Sequence, residues 1–325
     1  MSDSTLNIVL VTGADGFIGS VLCRHLLAAG YQVRALVRKL PGAQSPVDAD
    51  GLEYAIGDVR DSSQLDAVMA GVKYVFHLAG IAHVDEPDPD LLEAVTVQGT
   101  ANVVAAAQRA GVERLVYFSS SLALRAEKHL PDASEYGRAK LQAEQLIRRT
   151  LVEGKPDFCI LRPVNVYGVG MAGNLAQMIR MIAGRRLPPL PRLPGRLSLV
   201  SVTDLCAAAL LAAHTPAASG RTYTVTDGQI YLINELEESI YQALGRQKPA
   251  WVCPRVILYA GVVAVGLWRK LLGPGKHGTA VARRSYNSLL QDNLASNQVL
   301  LQELKFKPGT TFYSELPELV ATLLN

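Results

Sequence analysis

Three patterns in the 325 residues point to an α/β protein: a doubly wound parallel sheet followed by a smaller, mostly helical C-terminal lobe. Short apolar runs alternate with helix-length segments through the first half, as in parallel βαβ units. The first run leads straight into a G-x-x-G-x-x-G turn and then a helix. After Gly168 the alternation stops, and Pro188, Pro189, Pro191 and Pro194 break the chain. The length suits one large α/β unit with a second lobe, and 49% hydrophobic residues supply an ample core.

In order, strands are expected over 8–12, 32–37, 54–56, 74–79, 115–118 and 158–161, each rich in Val, Ile, Leu, Tyr or Phe. Helices are expected between them over 21–29, 63–70, 91–110 and 136–150, and a Pro/Gly-rich loop over 41–50. Ligands of such sheets lie beyond the carboxyl ends of the strands. The polar residues gather there: Gly13 to Gly19, Asp58, Gly80, Ser119 to Ser121 and Arg162 to Gly168. The first lobe is expected to cover 1–168, returning near 197–227 through two more β-like pieces. The second takes 169–196 and 228–325 and is the place for a substrate.

Each glycine of Thr12-Gly13-Ala14-Asp15-Gly16-Phe17-Ile18-Gly19 has its own task. Gly13 lets the chain turn off the strand, Gly16 lets backbone approach a pyrophosphate, and Gly19 lets the helix pack close on the sheet. The first-turn N–H groups then face phosphate, where the helix dipole favours negative charge. Between a strand and a helix, this pattern predicts a dinucleotide site. An acid reading the ribose 2′-hydroxyl belongs some ~20 residues further on, at the end of the second strand. That stretch reads Val33-Arg34-Ala35-Leu36-Val37-Arg38-Lys39, with no acid before Asp48. Arg38, helped by Lys39 or Arg34, suits a 2′-phosphate, so NADP(H) is the expected cofactor and NAD the alternative. The plainer reading is that these cations only solvate a strand end.

Composition narrows the rest. A net charge of +3 without a basic, aromatic-interleaved run argues against nucleic acid. Cys23, Cys159, Cys206 and Cys253 stand singly in apolar surroundings, as reduced core thiols do, and no metal-ligand spacing occurs. The polar N-terminus does not read as a signal peptide, and a cytoplasmic location is expected. Residues 256–268 are uncharged and end in Arg269-Lys270, too short for a membrane span. A buried or interface helix is the first reading of this segment; a weak membrane-surface anchor is the second.

Tyr136-Gly137-Arg138-Ala139-Lys140 sets a phenol and an ammonium at i and i+4, on one helix face. A nearby cation is expected to lower the phenol's pKa towards a usable range. Ser119-Ser120-Ser121, at the end of the strand over 115–118, adds hydroxyls able to polarise a carbonyl or an alcohol. A lone Y-x-x-x-K arises by chance on many helices. Following the glycine turn and the serines in this order, it reads as chemistry.

With these residues in view, the chain resembles the extended short-chain dehydrogenases/reductases, the Rossmann-type epimerases, dehydratases and reductases. Besides the glycine turn, the resemblance rests on Gly57-Asp58-Val59-Arg60-Asp61, Val75-Phe76-His77-Leu78-Ala79-Gly80, Phe118-Ser119-Ser120-Ser121, Tyr136 to Lys140 and Leu161-Arg162-Pro163-Val164-Asn165-Val166-Tyr167-Gly168. It implies Tyr136 as general acid/base, Ser121 orienting the substrate oxygen, and Lys140 gripping the nicotinamide ribose. Asp58 and Val59 would meet the adenine, and Leu78, Ala79, Gly80 and Pro163 would line the cofactor cleft. Asn165 would touch a substrate phosphate, with His83 also facing the substrate. It further implies a homodimer built from the helices over 91–110 and 136–150, with Ala101, Val104, Ala105, Gln108, Ala139, Ala143 and Leu146 at the contact. The look is that of bacterial surface-polysaccharide enzymes acting on UDP-sugars.

Three positions depart from the family's pattern. Thr96 stands where asparagine is usual, Leu122-Ala123-Leu124 replaces V-Y-G after the serines, and Leu197 stands where a pyrophosphate-gripping arginine is usual. Arg196, one step earlier on a strand, faces the other way. The expected activity is hydride transfer between NADP(H) and a carbonyl or alcohol carbon, as in a 4-keto-sugar reductase. Alternatives are an NAD-dependent UDP-hexose 4-epimerase, a ketone or steroid-type reductase, and a non-catalytic NADP sensor.

Overall fold

The apolar runs fold into parallel strands bridged by helices. The computed structural model describes residues 7–40, 50–81, 88–130, 133–152, 154, 156–272, 286 and 289–324, of which 265–272 through backbone only. The chain runs β1 (Ile8–Thr12), α1 (Phe17–Ala28), β2 (Gln32–Val37), β3 (Leu52–Ile56), α2 (Ser62–Met69) and β4 (Val72–His77). It continues through α3 (Pro89–Glu93), a π-helical turn (Ala94–Gln98), α4 (Gly99–Arg109), β5 (Arg114–Phe118), α5 (Ser121–Glu127), α6 (Glu135–Thr150) and β6 (Asp157–Pro163). Beyond lie β7 (Asn165–Tyr167), α7 (Asn174–Ala183), β8 (Arg196–Leu197), β9 (Leu199–Ser201), α8 (Val202–His214), β10 (Arg221–Val225) and β11 (Tyr231–Leu232). The last described elements are α9 (Ile233–Ala243), α10 (Arg255–Leu272), α11 (Gln298–Leu304) and α12 (Phe312–Leu324).

Seven strands form one all-parallel sheet in the order β10-β6-β5-β4-β1-β2-β3. Helices cover both faces, so central strands such as Val9-Leu10-Val11 are fully buried. From β1 the chain winds one way to β3 and then the other way from β4. That reversal opens a crevice beyond Thr12 and His77, which pair across β1 and β4.

Two segments differ from the sequence expectation. The helix over 91–110 is interrupted: Asp88 caps α3 by accepting from the Asp90 N–H, and a π-helical turn then precedes α4. Thr100 Oγ1 donates to the Thr96 carbonyl at 2.5 Å, drawing that oxygen out of the regular ladder. Residues 121–127, outside the helices expected above, are helical because Ser120 accepts from the Leu122 N–H and starts α5.

Two compact units emerge. The first comprises Met1–Val166, Val202–Thr226 and Ser296–Gly309. Its last piece was expected in the other lobe. It belongs here because Glu303 of α11 pairs with Arg221 and accepts from the Tyr223 hydroxyl at 2.7 Å, while Asn297 donates to the Thr226 carbonyl, all along edge strand β10. The second unit comprises Tyr167–Ser201, Asp227–Ala295 and Thr310–Asn325. In it α7, α9 and α12 pack together, β8 and β11 form an antiparallel pair, and Leu190, Leu193, Ile233, Cys253, Leu258 and Tyr286 make a local core. All four cysteines are buried free thiols.

Candidate active site

The glycine turn has the geometry its spacing predicts. Gly13 sits at φ +67°, and a Cβ there would stand 3.0 Å from the Ala79 nitrogen, so the β1 and β4 loops touch. On Gly19 a Cβ would lie 2.2 Å from the Gly13 carbonyl oxygen, which excludes any side chain. Gly16 is the N-cap of α1; it brings no capping side chain, and the first turn holds no acid. The leading N–H groups are left for an external anion, which fits a dinucleotide pyrophosphate. Asp15 is exposed beside them, with Phe17 and Ile18 half-buried.

Behind the turn runs a buried chain of hydrogen bonds that the sequence did not announce. Thr12 Oγ1 lies 2.7 Å from His77 Nδ1, and His77 Nε2 lies 3.0 Å from Thr100 Oγ1. Since the Thr100 hydroxyl already donates to Thr96, it accepts from Nε2–H. The Thr12 hydroxyl therefore donates to Nδ1 while accepting from the Leu78 and Ala79 N–H groups at 3.2 and 3.1 Å. That assigns one neutral tautomer. Complete burial, with the Lys140 charge adding to it, pushes the imidazole down to about 3. The network fixes the Leu78-Ala79-Gly80 loop against Gly13.

At the other side of the crevice Arg38 and Lys39 are exposed at the end of β2. Arg34, proposed as their helper, is committed elsewhere: it pairs with Glu53 at 3.1 Å and donates to the carbonyls of Val68 and Ala70. Asp58 is paired with Arg60 at 2.7 Å. The Arg60 hydrogen bonds hold its carboxyl below the usual range, and Arg38 adds to the effect. Buried Val59 and its neighbour Arg60 are fixed through their carbonyls by Asn102 Nδ2 at 3.0 and 3.1 Å.

The groups expected to carry the chemistry stand where α5 and α6 begin. Ser134 caps α6, accepting from Gly137 N at 3.1 Å, so Tyr136 and Lys140 stand in its first turns. A Cβ on Gly137 would be 2.6 Å from the Leu122 carbonyl oxygen, which brings the Ser121-Leu122 and Tyr136-Gly137 backbones together. Ser119 donates to Glu144, and Ser120 caps α5. Among the described residues, the hydroxyl of half-buried Ser121 takes neither of these roles. Lys140 Nζ donates to the Phe118 carbonyl at 2.8 Å, lies 4.8 Å from the Tyr117 ring centroid and 5.9 Å from that of Tyr136, and reaches Gly80.

One electrostatic expectation fails. Burial raises the Tyr136 phenol to about 12, and the lysine does not bring it down. The ammonium is itself desolvated, which lowers it to about 8 against the opposing pull of Glu144, and it is spent on the Phe118 carbonyl. Glu144 and Arg162 form a buried two-pronged pair, at 2.8 and 2.6 Å, beneath Ser119 and Lys140. Arg162 also bonds Glu127 of α5 at 2.7 Å. These two were missed; the clue was Glu144 at i+4 from Lys140 on the same helix face.

Pro163 is buried in β6 and Asn165 is exposed at the start of β7. His83 lies outside the described residues. Leu197 is half-buried in β8, and its neighbour Arg196 is occupied by Asp292 at 3.0 Å, so it does not replace the missing arginine. The buried Thr96 hydroxyl has no hydrogen-bond partner among the described residues.

Residues 9–226 match the NAD dependent epimerase/dehydratase family. The chain belongs to this family. Its relatives include the UDP-glucose 4-epimerase of Vibrio cholerae, 28% identical over 76% of this chain and 78% of that one. The N-acetyl-alpha-D-glucosaminyl-diphospho-ditrans,octacis-undecaprenol 4-epimerase of Escherichia coli O157:H7 is 27% identical over 82% and 81%. A 4-hydroxy-2-methyl-3-oxo-4-farnesyl-3,4-dihydroquinoline-1-oxide ketoreductase of Stigmatella aurantiaca is 32% identical over 67% of each chain. The solved UDP-glucose 4-epimerase of Thermotoga maritima shares the fold, with a TM-score of 0.76 at 19% identity over 98% of both chains. The protein is thus an extended short-chain oxidoreductase/epimerase with both epimerases and ketoreductases as kin. Among the described residues no group could hold a metal ion, and no helix is long and apolar enough to cross a membrane.

Proposed function

We propose that the protein moves hydride between NADP(H) and the carbonyl or alcohol carbon of a nucleotide-diphosphate sugar, as a 4-keto-sugar reductase. The arrangement of Tyr136, Lys140 and Ser121 at the meeting of α5 and α6 carries this reading. A bound nicotinamide supplies the hydride. Ser121 holds the substrate oxygen, and Tyr136, protonated at neutral pH because its pKa is about 12, gives that oxygen its proton. Lys140, close to Gly80, anchors the nicotinamide ribose. Asn165 contacts the substrate phosphate. Arg38, exposed at the end of β2, takes the 2′-phosphate of NADP(H), and its pull on Asp58 supports an electropositive strand end.

The second reading, a 4-epimerase that retains NAD, is favoured by the Vibrio and Escherichia relatives. Purified protein incubated with NADPH or NADH and UDP-4-keto sugars, UDP-hexoses or apolar ketones separates the two. NADPH consumption with a 4-keto sugar supports the reductase; interconversion of UDP-hexoses without added reductant supports the epimerase. Turnover of apolar ketones alone, or none of these despite cofactor binding, sinks both.

The protein is further proposed to work in the cytoplasm as a homodimer through α4 and α6. Half-buried Ala101, Ala105 and Leu146 and exposed Gln108 suit the contact, but Val104, Ala139 and Ala143 are buried within the subunit. The contact face is therefore narrower than the sequence suggested. A monomeric mass by light scattering at micromolar concentration would reject it.

A further inference from the structure

Helix α10 is apolar on two opposite sides. Leu258 and Val262 face the local core with Leu190, Leu193, Cys253 and Tyr286, and Tyr259 meets the Tyr286 ring edge-on at 5.1 Å. Among the described residues, nothing covers the far side. Val256 is 78% exposed, Ile257 61%, and Ala260 and Ala264 continue the same stripe. Trp251 and Val252, just before the helix, are 59% and 55% exposed. A helix that is hydrophobic all round is normally buried, and a contiguous apolar patch of this kind marks a docking surface.

Charge says what docks there. From Ser239 to Gln291 the chain contains no Asp or Glu, but it contains Arg246, Lys248, Arg255, Arg269, Lys270, Lys276, Arg283 and Arg284. The rest of the chain holds 24 Lys and Arg against 29 Asp and Glu, so along the sequence the positive charge is concentrated on either side of this one apolar segment. Arg246, earlier in the sequence, and Arg255, the first residue of α10, are exposed and donate to the carbonyls of Ala183 and Arg192. A second copy of the same surface would bring these cations against one another. A soluble apolar partner leaves them unused.

We propose that the α10 face docks the enzyme on an anionic lipid bilayer, lying in the headgroup plane. Trp251, Val256 and Ile257 enter the interface, and Arg246 and Arg255 meet lipid phosphates. The helix lies on the membrane rather than crossing it, consistent with the absence of a spanning helix among the described residues. The inference stands whichever carbonyl the active site handles, since none of its residues belongs to that site.

Sedimentation of the full chain with vesicles tests it. Vesicles of equal parts phosphatidylcholine and phosphatidylglycerol should carry the protein down at least about tenfold better than phosphatidylcholine alone, and added salt should release it. The double variant Val256→Ser/Ile257→Ser should weaken binding about tenfold, and Arg246→Glu/Arg255→Glu should erase the preference for anionic lipid. Unchanged circular dichroism and thermal midpoint would show that both variants fold. The proposal is overturned if the protein stays in solution with both vesicles, or if the variants bind as the parent does. It is equally overturned if the serine variant splits an oligomer in light scattering while lipid binding is absent.

Discussion

Gly137 and Leu122 touch backbone to backbone: a Cβ on the glycine would stand 2.6 Å from the leucine carbonyl oxygen. The contact lies one residue from both Ser121 and Tyr136, so it bears on the spacing of the two hydroxyls proposed to share the substrate oxygen. Gly137→Ala should separate them. We expect turnover to fall at least about tenfold and stability by about 1–3 kcal/mol, with cofactor affinity nearly unchanged. Parallel measurement of kcat, cofactor Kd and urea unfolding checks this.

Tyr136→Phe should lower turnover roughly 10²–10⁴-fold with cofactor binding largely intact. Lys140→Ala should harm both, because Nζ reaches Gly80 in the loop proposed to line the cofactor as well as the Phe118 carbonyl. Near-normal turnover by the phenylalanine variant would remove Tyr136 from the mechanism.

Arg38→Ala should weaken NADPH by about 1.5–3 kcal/mol while hardly affecting NADH. Titration of the two reduced cofactors against both proteins gives the answer. Protein that purifies with NAD already bound would point to the epimerase instead.

His77 should make stability fall with acid. Its imidazole is neutral in the fold, depressed by burial to about 3, while the unfolded chain takes up the proton near 6.5. Its contribution is complete above pH 6.5 and is lost as pH falls from there towards 3, by about 5 kcal/mol at the bottom. His77→Asn lowers stability overall but should flatten the slope between pH 6.5 and 4.5, where few carboxylates titrate. Urea midpoints across that range, parent against variant, decide it.

The sheet could be read from the sequence because each strand is a short apolar run and each crossover a helix-length segment. The glycine turn, Tyr136 and Lys140 were legible because their spacing is local. What escaped depends on which side chains meet in the fold, whether four residues apart or many. The π-helical turn at Ala94–Gln98 goes with a hydroxyl four residues on, and α11 joins the first unit through Glu303 meeting Arg221, 82 residues earlier. Glu144 carries no local signal beyond its i+4 spacing from Lys140, and Arg162 reads only as one of the polar residues at a strand end, until the fold buries them together. The phenol's pKa was misjudged for the same reason: sequence showed the lysine beside it but not the depth of either group.

The buried cysteines turn the protein into a reporter of its own opening. Cys23, Cys159 and Cys206 belong to the first unit and Cys253 to the second. Burial also raises the thiols of Cys23 and Cys159 to about 12, so neither holds thiolate near neutral pH while folded. A thiol reagent can mark each cysteine only during moments when its surroundings part, so the labelling rate counts those moments. Mass analysis of the tagged peptides would then time the breathing of the nucleotide-fold half and of the α10 half separately, without a single engineered probe.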